Sequence, residues 1–231
     1  MNSADYSGYI STPVRKTQVV TLYMRQLQMT NFYNSVQILD DGAPAPADGK
    51  FKTPYIGLGH ADFYDETTGQ LTPNPWSDPN DSDISDTFPP IPSETMTELE
   101  PEFIGMQKCT WKRYAKPYVA PTTAEKDDAN TVYYKGLYYK TTPNEEEAIQ
   151  DGYTAVMFLM TADSDTCFTT GLAVRQVGLF MGVNRNSEFI AADAYSVMSD
   201  DDKGHLIAVQ NMMPITRQDT QLEKYYFLIQ F

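Results

Sequence analysis

Leu172–Val183 reads LAVRQVGLFMGV, and its polar side chains are Arg175 and Gln176 alone. Neither side of this stretch is cleanly polar, so a strand with one wet face does not fit. A continuous apolar run with β-branched and aromatic residues predicts a strand covered on both faces. Gly178 and Gly182 fall on one side of it, where something bulky can approach closely. Tyr225–Phe231 makes a similar segment, with Tyr225, Phe227, Ile229 and Phe231 on one face. These two strands are expected to form the centre of the fold.

Outward from the central strand, Tyr153–Thr161 before it and Glu188–Val197 and His205–Gln210 after it read as strands. Val132–Lys140 (VYYKGLYYK) reads as a strand or a tight hairpin about Gly136, and Glu145–Asp151 as a helical turn. Further upstream, Phe51–Gly59 predicts a strand, and Ala61–Pro75 a hairpin-like excursion turning at Thr68-Gly69. Val14–Val36 carries a helical pattern, with Val20, Met24, Leu27, Phe32 and Val36 near one face. The NFYNS run, Asn31 to Ser35, closes it. Asp40–Gly49, Trp76–Ser93, Ala120–Ala129 and Asp163–Thr170 are loops. Met96–Tyr118 is mixed, residues 1–13 suggest an arm or edge strand, and no internal repeat is visible. The expected fold is mainly β with one N-terminal helix.

At 231 residues, one or two domains are expected. Tyrosine supplies 16 residues, a composition suited to contact surfaces because its ring gives large area at low entropic cost. A net charge of -14 disfavours nucleic acid or an anionic membrane as partner. The apolar run Ala155–Met160 is too short to span a bilayer. Cys109 and Cys167 provide neither a disulfide framework nor metal spacing, and two free thiols in a reducing compartment are expected. The first residues, MNSADYSGYI, lack the basic and apolar regions of a signal peptide. A soluble protein made inside a cell is therefore expected.

Little in the chain points to catalysis. The Asp78, Asp81, Asp83, Asp86 series lacks the glycine and closing glutamate of a calcium loop. His60 and His205 have no nucleophile motif to serve. Gly57-Leu58-Gly59 is no phosphate loop. No cofactor, metal or catalytic residue is assigned, and the chain is not expected to be an enzyme.

Lys108–Tyr118, KCTWKRYAKPY, interleaves bases with aromatics, a pattern that suits single-stranded nucleic acid in a basic protein. In so acidic a chain it reads as a docking surface for an acidic neighbour, or as an internal partner for the chain's own carboxylates. Trp111, Arg113, Tyr114 and Tyr118, with Tyr134 and Tyr139 of the tyrosine-rich stretch, are the candidate partner-interface residues. Trp76 and Pro89-Pro90-Ile91-Pro92 are expected to fix loop geometry. Arg175 and Gln176 point to opposite faces, and Arg175 is expected to pair with a carboxylate or backbone carbonyls at the edge of the core.

Taken in order, several of these pieces resemble one family, the baseplate wedge protein eight of T-even-type contractile-tailed bacteriophages. The motif residues are Asn31, Phe32, Tyr33 and Asn34 closing a helix, then a strand ending at Gly59. Trp76 follows in Pro75-Trp76-Ser77, leading through an acidic loop to Pro89-Pro90-Ile91-Pro92. Arg175 and Gln176 stand in the central strand, and Pro214 and Arg217 lead into the aromatic terminal strand. The resemblance covers about the first hundred residues and the last sixty. His60 stands where related chains often carry arginine, and Ala61–Pro75 is an added excursion.

The resemblance implies a two-domain, β-sandwich-like subunit. A discontinuous core domain of residues 1–93 and 151–231 would enclose an inserted, loop-rich domain of residues 94–150. It implies a structural part of the tail baseplate wedge that bridges neighbouring wedge subunits through loop and aromatic surfaces. A second copy in each wedge, assembly in the host cytoplasm and a final place in the virion follow from the same resemblance. Two alternatives stand beside it: another tail structural or fibre-adaptor protein, and a carbohydrate-binding tail module.

Overall fold

The computed structural model describes residues 21–39, 53–60, 63–65, 70–72, 102–162, 173–185, 187–199, 201–216 and 222–231. The strands are β1 (Tyr55–His60), β2 (Phe63–Asp65), β3 (Gln70–Thr72), β4 (Glu102–Lys108), β5 (Trp111–Pro117), β6 (Thr131–Tyr134), β7 (Leu137–Thr142), β8 (Ala155–Ala162), β9 (Ala173–Met181), β10 (Phe189–Ala191), β11 (His205–Thr216) and β12 (Glu223–Gln230). The helices are α1 (Leu22–Ser35), α2 (Thr123–Lys126), α3 (Glu145–Gln150) and α4 (Ala192–Ser196). One five-stranded sheet runs β10-β4-β1-β9-β11 and a second runs β12-β8-β5-β7-β6, while β2 and β3 form a separate pair. The ladders are antiparallel. The protein is thus mainly β, with two antiparallel sheets and a few helices.

Strand β9 lies between β1 and β11 and is covered on both faces, as its unbroken apolar run requires. Val177 and Leu179 enter the core between the sheets, while Phe180 enters a second core on the far side. Gly178 stands opposite Gly57 of β1 in the ladder. Between the sheets, Ile56, Leu58, Val177 and Leu179 meet Val156, Phe158, Met160 and Tyr225. Phe227, Ile229 and Phe231 join this core, so the terminal strand presents the face its alternation predicts. Truncating a ring as buried as Phe158 would cost about 3–5 kcal/mol.

Each sheet also has a covered outer face. On the first sheet, Tyr55, Met106, Phe180 and Ile190 lie beneath Tyr195 of α4 and Met198 just after it. On the second, Ala115, Val132, Tyr139, Ala155 and Met157 gather under Trp111, Tyr134 and Tyr226. Tyr134 of edge strand β6 and Tyr226 of the opposite edge strand β12 come within 6.4 Å, so this sheet is strongly curled.

The two sheets are joined directly by Cys109 and Thr110 between β4 and β5. Cys109 N–H donates to Pro54 O (2.9 Å), and Thr110 N–H to Leu159 O (2.7 Å). Strand β4 lies between β10 and β1, and β5 between β8 and β7.

Helix α1 begins where Thr21 caps it, its hydroxyl accepting from Met24 N–H at 3.3 Å. Its buried face agrees with the expected one at Phe32 and Val36 and departs from it at Met24 and Leu27. Gln26, Met29 and Val36 are buried and Phe32 and Tyr33 pack with them, while Met24 and Leu27 are 47% and 44% exposed. Apolar residues occupy both sides of this helix, so spacing alone does not select the buried stripe in its first turns.

The β6–β7 hairpin turns through Lys135 and Gly136, both left-handed at φ 48° and 82°. A two-residue turn of this kind matches the twist of its strands. The Ala61–Pro75 excursion contains the expected antiparallel pair, β2 with β3. Glu188–Val197 is a short strand that passes into α4 instead of one strand. Strand β11 runs on past Gln210 to Thr216 through Pro214, which an edge strand tolerates because a missing N–H can face outward.

Candidate functional site

Strand β5 carries the basic and aromatic stretch, and the structure turns most of it inward. Lys112 Nζ donates to the carbonyl oxygens of Tyr33 and Val36 at the C-terminal end of α1. Lys108 Nζ donates to Leu39 O at 2.8 Å just beyond. A cation at a helix C-terminus meets both the open carbonyls and the negative end of the dipole. Burial pushes the Lys112 amine down to about 8. Arg113 donates to Asn130 Oδ1 at 2.7 Å and lies 5.0 Å over Trp111. Lys116 donates to Asp151 O (2.9 Å) and pairs with its carboxylate at 3.4 Å. These cations serve the chain's own carbonyls and carboxylate, in keeping with the internal-partner alternative.

The aromatic candidates divide. Tyr114 is fully buried and Tyr139 is 4% exposed, so neither offers its ring to a partner from the folded chain. Tyr114 stacks on Tyr33 and donates to Glu145 Oε2 at 3.4 Å. Trp111 packs against the small core of the second sheet. Tyr134 donates to Gln210 Oε1 at 2.9 Å, linking β6 to β11. Tyr118 donates to Glu125 Oε1, which helps hold that carboxylate down at about 2.

The motif residues at the end of α1 have structural work. Phe32 packs edge-on against Phe158 and meets Phe231 at 5.3 Å. Asn34 Nδ2 donates to Glu145 Oε2 at 3.1 Å, and Gln26 Nε2 donates to Ile149 O at 2.7 Å. Helix α1 is therefore tied to both ends of α3. Asn31 is exposed. Gln176 is buried. The Arg175 and Pro214 side chains lie outside the described residues, as do Trp76, the Pro89–Pro92 segment, Arg217 and the Asp78–Asp86 series.

Outward among the described residues are the hairpin and its surroundings, along with Leu22, Tyr23, Met24 and Leu27 of α1. The sequence marks the hairpin by its paired tyrosines but not the groove beside it. Tyr133 is 61% exposed, Leu137 56% and Val119 87%. Tyr133 and Tyr138 pair across the hairpin with centroids 4.9 Å apart. Beside them lies an open groove of about 670 Å³ that includes Tyr118, Glu125, Asp128, Lys140 and Glu147. The cue in sequence was the alternation of tyrosines about Gly136, which assigns Tyr133 and Tyr138 to one face and Tyr139 to the other. Among the described residues, no group of three or more His, Cys, Asp or Glu is placed to hold a metal ion. No helix among them is long and apolar enough to cross a membrane.

A two-sheet β subunit whose outward features, among the described residues, include an aromatic hairpin and a carboxylate-lined groove is equipped for contact with other proteins. The chain belongs to the baseplate wedge 3 tail fiber network component family, whose model matches residues 68–231. No curated protein matches it. The chain is accordingly a structural component of a phage baseplate wedge, located in the tail baseplate of the virion and in contact with other baseplate proteins. The match names the wedge 3 tail fiber network component and not wedge protein eight, and it includes residues 94–150, where the resemblance was poor.

Proposed function

We propose that this chain bridges neighbouring wedge proteins, in the manner of wedge protein eight, and has no catalytic role. The family match over residues 68–231 carries this reading. The exposed Tyr133, Leu137 and Val119 support it, because isolated aromatic and aliphatic anchors beside polar surface are what protein interfaces use. The excess of carboxylates limits self-association before assembly and favours basic partners. A second copy in each wedge and assembly in the host cytoplasm belong to the same reading, as does a discontinuous core domain around an insert at 94–150.

A tagged pull-down from cells carrying the parent phage tests it. Stoichiometric recovery of several tail proteins at moderate salt supports bridging, and recovery of the chain alone contradicts it. Membership in a tail fiber network component family also favours a second reading, a fibre adaptor within the tail fiber network. A three-fold oligomer of the purified chain would support the adaptor.

A further inference from the structure

We propose that the groove over β7, with the Tyr133–Tyr138 pair at its end, docks a basic, extended segment of a neighbouring baseplate protein. The inference rests on the baseplate reading, which supplies the neighbours. Lys140 of β7 lies in the groove, with Glu125 and Asp128 lining it from the α2 side and Glu147 from α3. Three carboxylates thus face Lys140, which lies 3.8 Å from Glu147, and Lys126 sits 5.3 Å over the Tyr138 ring at the lip, so two lysines stand against three carboxylates. The unbalanced charge is negative and calls for cations from outside.

The carboxylates are held in place before any partner arrives. Glu125 Oε2 accepts from Thr122 N–H (2.7 Å) and the Thr122 hydroxyl (2.8 Å), and Oε1 accepts from Tyr118. Asp128 Oδ1 accepts from Asn130 N–H at 2.7 Å, and Glu147 Oε2 from the Thr142 hydroxyl at 2.6 Å. Fixed acceptors lose little freedom on binding. In β7, Tyr138 and Lys140 share a face by strand alternation, and Tyr133 stands opposite Tyr138 in the ladder. The apolar lip therefore continues the charged groove along one face. Arginine suits this combination best, because its guanidinium pairs with carboxylate and also stacks on tyrosine.

The test is photo-cross-linking in assembled tails of phage carrying the full chain, with p-benzoylphenylalanine replacing Tyr133. A second position, Val197, is 83% exposed and lies just past α4 on the first sheet, so it serves as the reference. The inference expects Tyr133 cross-links in a Lys/Arg-bearing segment of another tail protein. It expects about a tenfold loss of them in the isosteric double variant Asp128→Asn/Glu147→Gln, at unchanged melting temperature. Cross-links to a neutral or acidic segment overturn it. So does silence at Tyr133 while Val197 labels other tail proteins, an outcome that leaves the baseplate reading standing. A chain missing from the tails overturns both.

Discussion

Tyr33 lies flat on Tyr114, with ring centroids 3.9 Å apart and planes inclined by 19°. Lys112 Nζ sits over the other ring face at 3.9 Å while binding the Tyr33 carbonyl. One residue thus joins α1 to β5 through a stack, a cation–π contact and a capped helix end. Tyr33→Ala should lower stability by about 2 kcal/mol, from lost burial of a half-covered ring plus the stack. Tyr33→Phe should stay within about 0.5 kcal/mol, because its hydroxyl makes only a 3.4 Å contact with Lys112 O. Urea denaturation of both variants measures the difference.

Lys112 makes stability depend on alkaline pH. Its folded value is lowered by burial from 10.5 to about 8, so between those values the unfolded chain holds a proton that the folded chain lacks. Stability rises with pH across that window. Burial pushes Tyr134 and Tyr153 up from 10.0 to about 12, so their contribution is complete below pH 10 and is lost as pH rises toward 12. Burial also raises the Cys109 thiol from 9.0, so its contribution is lost above about pH 9, and denaturation at a series of pH values should show a maximum between about pH 9 and 10. Lys112→Met should abolish the rising limb and leave the falling one.

Two left-handed glycines should respond differently to alanine. At Gly136, φ is 82° and a Cβ would meet nothing within 4 Å, so Gly136→Ala should cost about 1 kcal/mol for backbone conformation alone. At Gly204, φ is 75° and a Cβ would stand 2.7 Å from Met181 O and 2.8 Å from Val183 N. Gly204→Ala adds this backbone clash and should cost about 3 kcal/mol. Thermal melts of the pair would rank them.

Cys109 is buried, and burial raises its thiol pKa well above the ordinary cysteine range. Thiol reactivity follows the thiolate and its access, so Cys109 should stay unlabelled by maleimide in the native protein. In denaturant it should label fully. Mass spectrometry of the Cys109 peptide under both conditions reports the result.

The parts of this fold that were legible in sequence are those governed by short-range pattern. The apolar run of β9, the alternation of β12 and the turn at Gly136 each depend on neighbours a few residues away. The face of α1 was legible at Phe32 and Val36 but not earlier in the helix, because Leu22, Tyr23, Met24 and Leu27 are apolar yet exposed. Its buried stripe is set by where Phe158, Tyr114 and Phe231 lie, which is long-range information. Tyr114 and Tyr139 show a related effect. A tyrosine counts as a contact residue by composition, but a curled sheet with nearby acceptors can bury it. The candidate site was legible only in outline: the tyrosine-rich hairpin stood out, while the groove needed α2 and α3 placed on either side of β7. The stretch holding Lys112 left a docking surface and an internal partner both open, because nothing local shows that α1 ends against it.

This chain has a structural place in the tail baseplate. Immunogold labelling of isolated tails with antibody against this chain tests it most directly. Gold should be confined to the baseplate end of the tail. Gold along the tube, or unlabelled tails beside free chain in the lysate, would contradict it.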